Sequence, residues 1–251
     1  MLSIIYDASF DGFLSSIFEI YRMRLQVGAF VPERLAPKDS SASGDLFLQP
    51  FRMETNVEYA RRLERAIVNA ASQEVLKILQ TSFLSEVPGI EMKLLTYLKK
   101  LFEGSEPNFG RNLTSMEMLP ILKIAQSVNR EAGNMLGLVR FARVSSSTYV
   151  SEIEPKYNVL PLIINHFRVR FGLQQWVIYD SKRNYGAFHD GQNTKMVYLP
   201  NGVPKMENDN FTSLWKDYYK SMAIKERENP KLLRQCLPVR YWKHLPERQG
   251  A

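Results

Sequence analysis

A change of hydrophobic period within residues 158–190 constrains the fold of this chain more than any other feature. Asn158 is a candidate N-cap, and Pro161 falls in the first helical turn, where its missing N–H costs nothing. Apolar side chains then recur at helical spacing on one face: Leu160, Ile163, Ile164, Phe167 and Phe171. Beyond Gly172, a candidate C-cap, the period falls from about 3.6 to 2. The pattern predicts a helix that leads into a β-ribbon.

The ribbon is predicted to consist of two short strands, Gln175 to Asp180 and Tyr185 to Asp190, joined by a polar turn. Two more strands, from Leu138 to Val144 and from Tyr149 to Ile153, are predicted before the helix. A further strand follows the ribbon, from Thr194 to Leu199. Because the strands come in hairpins, we expect an α+β fold with an antiparallel sheet of about five strands, covered by the central helix.

The rest of the chain is predicted to be mainly helical. Residues 1–136 form a mostly helical part with strand candidates at Ser3 to Tyr6 and Phe47 to Met53, and residues 137–251 form the α+β part. A basic helical tail closes the second part, and we expect one compact unit. Asp7, after the first strand, is interpreted as a cap of the next helix rather than as an active-site acid.

The net charge of +7 is concentrated in the second half of the chain. Residues 1–133 hold 15 Lys and Arg against 16 Asp and Glu, whereas residues 134–251 hold 18 against 10. A basic surface with interleaved aromatic residues fits a polyanion. Solvated surface lysines give the same total, so composition alone leaves nucleic-acid binding open.

Several classes of site are excluded or disfavoured. Cys236 is the single cysteine, which excludes an internal disulfide and a cysteine-ligated iron–sulfur cluster within the chain. Three widely spaced histidines disfavour a zinc site, and no glycine-rich phosphate loop or nucleophile elbow is present. We therefore predict no resident metal or cofactor. No apolar run has the length of a membrane span, and we expect a soluble, cytoplasmic protein.

The strongest acid–base candidates are Asp180, His189 and Asp190, at the ends of the ribbon strands. Strand-end carboxylates beside a histidine are able to bind a metal or to act as a general base. The same aspartates also fit turn positions, so both interpretations stay open. His166, on the central helix, is interpreted as a packing residue rather than as a ligand.

Basic and aromatic residues of the second half form the other candidate set. The candidate phosphate contacts are Arg140, Arg168, Arg183, Arg227, Arg234 and Arg240, and the candidate stacking residues are Tyr185 and Tyr241. Guanidinium groups match phosphate geometry, and aromatic rings stack on unpaired bases for about 1–3 kcal/mol each. The alternative is that the aromatic residues of the tail hold it onto the domain.

Three further segments, in order, carry a family resemblance: IIYDASFDGFLSSIFEIY near the start, GLVRFARV at 137–144 and RYWKHLPE at 240–247. With residues 158–190, they make the chain resemble a bacterial family of DNA-metabolism proteins, which is built on a domain of unknown function. The family is encoded beside a DNA-repair radical-SAM protein, and some members are fused to a uracil-DNA glycosylase domain. One departure is Gly133, where the family often has histidine.

The resemblance implies an accessory factor of DNA metabolism or repair, which binds DNA or a DNA-bearing complex together with a radical-SAM partner. Whether such a factor is itself an enzyme stays open. One alternative is an enzyme that acts on damaged or modified nucleotides through Asp180, His189 and Asp190. Another is an interaction subunit whose basic half contacts only protein.

Overall fold

The computed structural model describes residues 1–33, 48–104, 108–145, 147–200, 202–203, 229, 231, 234 and 237–245. The chain divides into two compact units, residues 1–128 and 129–251. Both contain helices and strands, which confirms the predicted mixed fold class. Most of the predicted basic tail, including Arg227, lies outside the described residues.

The first unit contains a three-stranded parallel sheet in the order β2-β1-β3. Its strands are β1 (Leu2–Tyr6), β2 (Val27–Pro32) and β3 (Gln49–Arg52). The sequence did not predict β2, because its six residues contain a glycine and a proline, which weaken a local strand pattern. Pairing of Ile4 with Phe30 and of Ile5 with Val31 nevertheless places β2 beside the buried central strand.

Four helices pack around this sheet and a common apolar core. They are α1 (Phe10–Met23), α2 (Val57–Ala70), α3 (Gln73–Phe83) and α4 (Ile90–Glu103), followed by a short 3-10 helix, Phe109–Arg111. Side chains of Ser9, Asn56 and Ser72 cap the first three helices by accepting backbone N–H groups. Ser9 therefore caps α1, whereas Asp7 accepts hydrogen bonds from Ser9 itself.

Helix α5 (Met118–Leu138) leads from the first unit into the second. It includes Leu138, so the strand expected from Leu138 to Val144 is only β4 (Ala142–Arg143). The remaining elements are β5 (Thr148–Ile153), α6 (Leu160–Arg170), β6 (Gln175–Asp180), β7 (Tyr185–His189), β8 (Thr194–Tyr198) and a 3-10 helix, Val239–His244.

The second unit contains the predicted five-stranded sheet, in the order β4-β5-β6-β7-β8. The sheet is mixed rather than wholly antiparallel, because β5 and β6 run parallel, with Thr148 opposite Gln175 and Ile153 opposite Asp180. A parallel pair needs a crossover connection, which α6 provides. The buried side chains of α6 are Leu160, Ile163 and Phe167, which belong to the predicted apolar stripe, whereas Ile164 and Phe171 of that stripe are half-buried.

The residues that cap α6 differ from the predicted ones at both ends of the helix. Val159 occupies the N-cap position, and Asn158 instead accepts a hydrogen bond from the Tyr185 hydroxyl. At the other end Phe171 is the C-cap, with an ordinary negative φ of −124°, and the Gly172 carbonyl lies within 3.1 Å of His189 Nε2. Among the described helices, none has the length and apolar character needed to cross a membrane.

Candidate functional site between α5 and α6

A cleft of about 340 Å³ opens in the second unit between the end of α5 and the C-terminal half of α6. We call it the α5–α6 cleft, and its lining consists of Leu136, Gly137, Val139, Arg140, Phe141, His166, Phe167, Arg170 and Phe171. A more open depression of about 480 Å³ continues along α6 and is lined by Leu162, Asn165, His166, Val169 and Arg170. His166 and Arg170 belong to both, so the two hollows form one continuous surface.

Three phenylalanine rings form the apolar wall of the α5–α6 cleft. The Phe141 ring lies edge-on to Phe167 and Phe171, with centroids 5.7 and 5.5 Å away, and those two rings are nearly parallel at 6.3 Å. Phe167 is buried, whereas Phe141 and Phe171 are half-buried. The wall is anchored by buried Trp176 behind Phe141. Aromatic surface therefore reaches the cleft on a rigid support.

Two exposed arginines stand in the last turn of α6. Arg168 donates to the side-chain oxygen of Asn165 at 2.8 Å, and the Arg170 guanidinium lies 5.6 Å from the Phe171 ring centroid. Neither has a carboxylate within 4 Å among the described residues, and residues 155–179 contain no Asp or Glu at all. Their charge complements the negative end of the helix dipole, yet it remains available to an external anion.

Arg140 brings a third cation to the cleft but is held more firmly. Its guanidinium donates to the Gly137 carbonyl at 2.6 Å, which satisfies one of the last carbonyls of α5. His166 is exposed, with its ring edge-on to Phe167 at 5.1 Å. The sequence indicated a packing role for His166, and the structure instead places it at the rim.

The acid–base candidates do not form a common site. Asp180 lies at the end of β6, whereas His189 pairs with Trp176 near the start of that strand, about 13 Å away at ordinary strand spacing. The Nε2–H of His189 donates to the Gly172 carbonyl, because a carbonyl only accepts, and Nδ1 accepts from the Thr194 hydroxyl. Both ring nitrogens of this buried histidine are thus engaged within the fold.

Asp190 is exposed and shapes the turn between β7 and β8. One of its carboxylate oxygens accepts from the backbone N–H groups of Gln192 and Asn193 at 2.8 and 2.7 Å. These bonds hold the pKa of Asp190 below its ordinary value. This is the turn role that the sequence offered as the alternative to chemistry.

Asp180 and Arg183 form a buried ion pair at 2.8 Å, with both side chains at most 3% exposed. Burial raises the pKa of Asp180, while the Arg183 guanidinium and two backbone N–H groups oppose that rise. The guanidinium also donates to the carbonyls of Pro155 and Lys156. Arg183 therefore connects the β6–β7 turn to the segment before α6, and its buried guanidinium is not available to an external phosphate.

Arg240 and Tyr241 converge on a buried carboxylate that sequence reasoning missed, that of Glu131 in α5. Glu131 accepts from the backbone N–H groups of Lys156 and Tyr157 at 2.9 and 2.8 Å, from Arg240 at 3.2 Å and from the Tyr241 hydroxyl. Tyr241 is only 2% exposed, and burial raises its pKa to about 12. These contacts hold the closing segment in place and leave Tyr241 no stacking face.

The remaining sequence candidates are dispersed. The Tyr185 hydroxyl bonds to Asn158, Arg234 is exposed, and Arg227 lies outside the described residues. Among the described residues, no three His, Cys, Asp or Glu side chains are close enough to hold a metal ion. Of the predicted set, Arg140 lines the α5–α6 cleft, and Arg168 is exposed in the last turn of α6 but lines neither hollow.

A family model described as a domain of unknown function, DUF4130, matches residues 88–247. The matched region spans more than half of the chain and includes every residue that lines the α5–α6 cleft. No curated protein matches the chain.

Proposed function

The chain belongs to the DUF4130 family, a domain of unknown function, and we propose that it binds DNA as an accessory factor of DNA metabolism or repair. The surface around the α5–α6 cleft, with Arg140, Arg168 and Arg170, makes the contact. The resemblance of the opening, middle and closing segments to DNA-metabolism proteins supports the DNA part of the proposal. It also supports a radical-SAM protein as the partner.

One observation carries the proposal. Arg168 and Arg170 are both exposed in the last turn of α6, with Arg170 at the aromatic-walled cleft, and neither has a carboxylate within 4 Å among the described residues. An acidic side chain within about 4 Å would form an ion pair with such an arginine and reduce its field at short range. Here the nearest acids in the sequence are Glu154 and Asp180, and Asp180 is already paired with Arg183.

The physical driving force is the release of counterions. Each phosphate neutralised by an arginine frees condensed cations, so the logarithm of the binding constant falls linearly with the logarithm of salt concentration. The slope counts phosphate contacts, at about 0.7 per contact for single strands and about 0.9 for duplex. A guanidinium also matches two phosphate oxygens at once, which a lysine does not.

The test replaces Arg168 and Arg170 by glutamine, which removes the positive charges and keeps polar side chains. The double variant Arg168→Gln/Arg170→Gln is expected to reduce the salt slope of oligonucleotide binding by about 1.4 to 1.8, the sum of two contacts. The matched control is Arg61→Gln/Arg65→Gln, which removes the same charge from an exposed face of α2. Fluorescence anisotropy over a salt series measures both slopes.

The control separates a local surface from a general charge effect. Equal losses of slope in the two double variants would place the contact elsewhere. Absence of binding to single-stranded and duplex oligonucleotides at low salt would overturn the DNA assignment and favour a protein-only interaction subunit. The same titration with the radical-SAM protein present tests the partner, which is expected to raise the affinity of the wild type.

The nucleotide-modifying alternative has no comparable support. It requires Asp180, His189 and Asp190 to act together, and the structure separates Asp180 from the other two along β6. The imidazole of His189 is buried with both nitrogens bonded, so it has no path to a substrate. We therefore propose a binding role.

A further inference from the structure

The volume of the α5–α6 cleft limits what it can hold. At about 340 Å³ it lies near the lower end of the range for small-molecule sites, about 300–1,000 Å³. Such a space takes one ring system and excludes a stack of bases or a protein helix. The adjoining depression along α6 is open to solvent and leaves room for the groups attached to that ring.

The walls of the cleft fit a flat aromatic guest. Phe141 and Phe171 present partly exposed rings at its surface, and the Arg170 guanidinium lies over the Phe171 ring. Unpaired bases stack on aromatic rings and on guanidinium planes in single-strand-binding proteins. An aliphatic ligand would bury a similar apolar area but would not stack on the aromatic rings or on the guanidinium plane.

The rim supplies the polar groups that a base and its backbone require. The ring nitrogens of His166 make no hydrogen bond within the described part of the chain, so they are available to a base edge. Arg170 stands one turn after His166 on the same helix face and lines both hollows, where a flanking phosphate would lie. The cleft and its rim therefore offer stacking, a hydrogen bond and charge within two turns of α6.

We propose that the α5–α6 cleft receives one unpaired base of a single-stranded DNA segment, with a neighbouring phosphate on Arg170. The proposal rests on the DNA-binding function above and names its substrate class. A base within a duplex is stacked and paired, so it must be extruded at an energetic cost before it can enter. Single strands, gaps and flaps are therefore preferred over continuous duplex.

The decisive experiment compares two single-stranded 12-mers, one ordinary and one built entirely from abasic sugar analogues, by fluorescence anisotropy with wild-type protein. Both carry the same phosphates and differ only in the bases. A single stacked base contributes a factor of about 5 to 150 in affinity, and we expect the abasic strand to bind more weakly by that factor. The ratio should stay constant across salt concentrations, because stacking releases no counterion.

Two glycines of α5 provide a steric test with an internal control. Gly137 lines the cleft, and Gly133 lies one turn earlier and does not; an added Cβ meets no atom within 4 Å at either position. Gly137→Leu extends a side chain over the cleft without changing charge and should abolish the difference between the two strands. Gly133→Leu should preserve it, since both substitutions improve helix propensity alike.

The outcomes distinguish the two proposals. Equal affinity of the wild type for both strands, with a steep salt dependence, would overturn base insertion and leave DNA binding intact. No binding to either strand would overturn both. A preference for the ordinary strand that survives in Gly137→Leu would place the base outside this cleft, and so would also overturn the inference.

Discussion

Glu131 and Tyr241 lie 110 residues apart in the chain, and the Tyr241 hydroxyl donates a hydrogen bond to the buried Glu131 carboxylate. The other oxygen of that carboxylate accepts from the Tyr157 backbone N–H. One side chain of α5 therefore fixes both the closing 3-10 helix and the segment that precedes α6. Because α5 and α6 form the walls of the cleft, this carboxylate helps to determine its shape.

Replacing Glu131 by glutamine should destabilise the protein by about 2–4 kcal/mol. Both carboxylate oxygens accept backbone N–H groups, and glutamine would turn its NH₂ group toward one of these donors, which leaves a buried N–H unsatisfied. Urea unfolding of wild type and Glu131→Gln measures the loss. Tyr241→Phe removes a single donor and should cost less, about 1–2 kcal/mol. A Glu131→Gln variant as stable as the wild type would contradict the assigned role.

The stability of the protein should fall between pH 10 and pH 12, in part through Tyr241. Burial raises the pKa of Tyr241 to about 12, against 10.0 for an unperturbed phenol. In this window the unfolded chain loses the phenolic proton while the folded chain retains it, so the unfolded state binds fewer protons and stability declines as pH rises. Below pH 10 the protonated Tyr241 side chain makes its full contribution to the unfolding free energy.

The measurement for Tyr241 is the unfolding free energy of wild type and Tyr241→Phe as a function of pH. The difference between the two proteins should be constant below about pH 9 and should shrink from pH 10 to pH 12. Burial also raises the pKa of Tyr97 to about 12, so the Tyr241→Phe curve keeps some slope of its own. Parallel curves over the whole range would show that Tyr241 ionises normally.

The Asp180–Arg183 pair gives a third prediction. Asp180→Asn removes the charge opposite a guanidinium that is 3% exposed, and an uncompensated buried charge costs about 3–5 kcal/mol. The matched control is Asp190→Asn in the turn between β7 and β8. One oxygen of Asp190 accepts both backbone N–H groups, so an asparagine oxygen can replace it and stability should change little. Equal losses of unfolding free energy in Asp180→Asn and Asp190→Asn would contradict a structural role for the ion pair.

The sequence predicted the elements that depend on local periodicity. The helix stripe from Leu160 to Phe167 and the strand from Gln175 to Asp180 are present with nearly the predicted bounds, since each buries the face that its own pattern defines. The parallel pairing of β5 with β6 was not predictable in this way. It depends on the packing of α6 between the two strands, which no local pattern encodes.

The candidate site was predicted only in part, for a similar reason. Arg168 remains at the surface because its helix face is exposed, but Arg183, equally basic in the sequence, is buried by carbonyls of Pro155 and Lys156 from a distant segment. The role of Glu131 was not predicted, because its hydrogen-bond partners come from two other segments of the chain, residues 156–157 and 240–241. One available signal did not enter the prediction: the acid-free run 155–179, which contains the exposed arginines Arg168 and Arg170.

The final prediction concerns the start of α1, where Gly12 and Asp7 are in close approach. A Cβ at Gly12 would lie 2.1 Å from one carboxylate oxygen of Asp7 and 2.8 Å from the Thr55 hydroxyl. That carboxylate accepts from the Ser9 backbone N–H and hydroxyl and from the Thr55 hydroxyl, at 2.9, 2.7 and 2.7 Å. Gly12→Ala must therefore displace Asp7 and break these hydrogen bonds, at a cost of about 2–3 kcal/mol.

A double-mutant cycle isolates this contact from the general effect of an added methyl group. In an Asp7→Ala background the carboxylate is absent, and the remaining neighbour is a small hydroxyl side chain that can rotate. The cost of Gly12→Ala should then fall by at least about 1 kcal/mol, which is a coupling typical of residues in direct contact. Urea unfolding of the four proteins gives the coupling energy. If Gly12→Ala lowers the unfolding free energy equally in both backgrounds, the added methyl group destabilises the protein through contacts that do not involve Asp7.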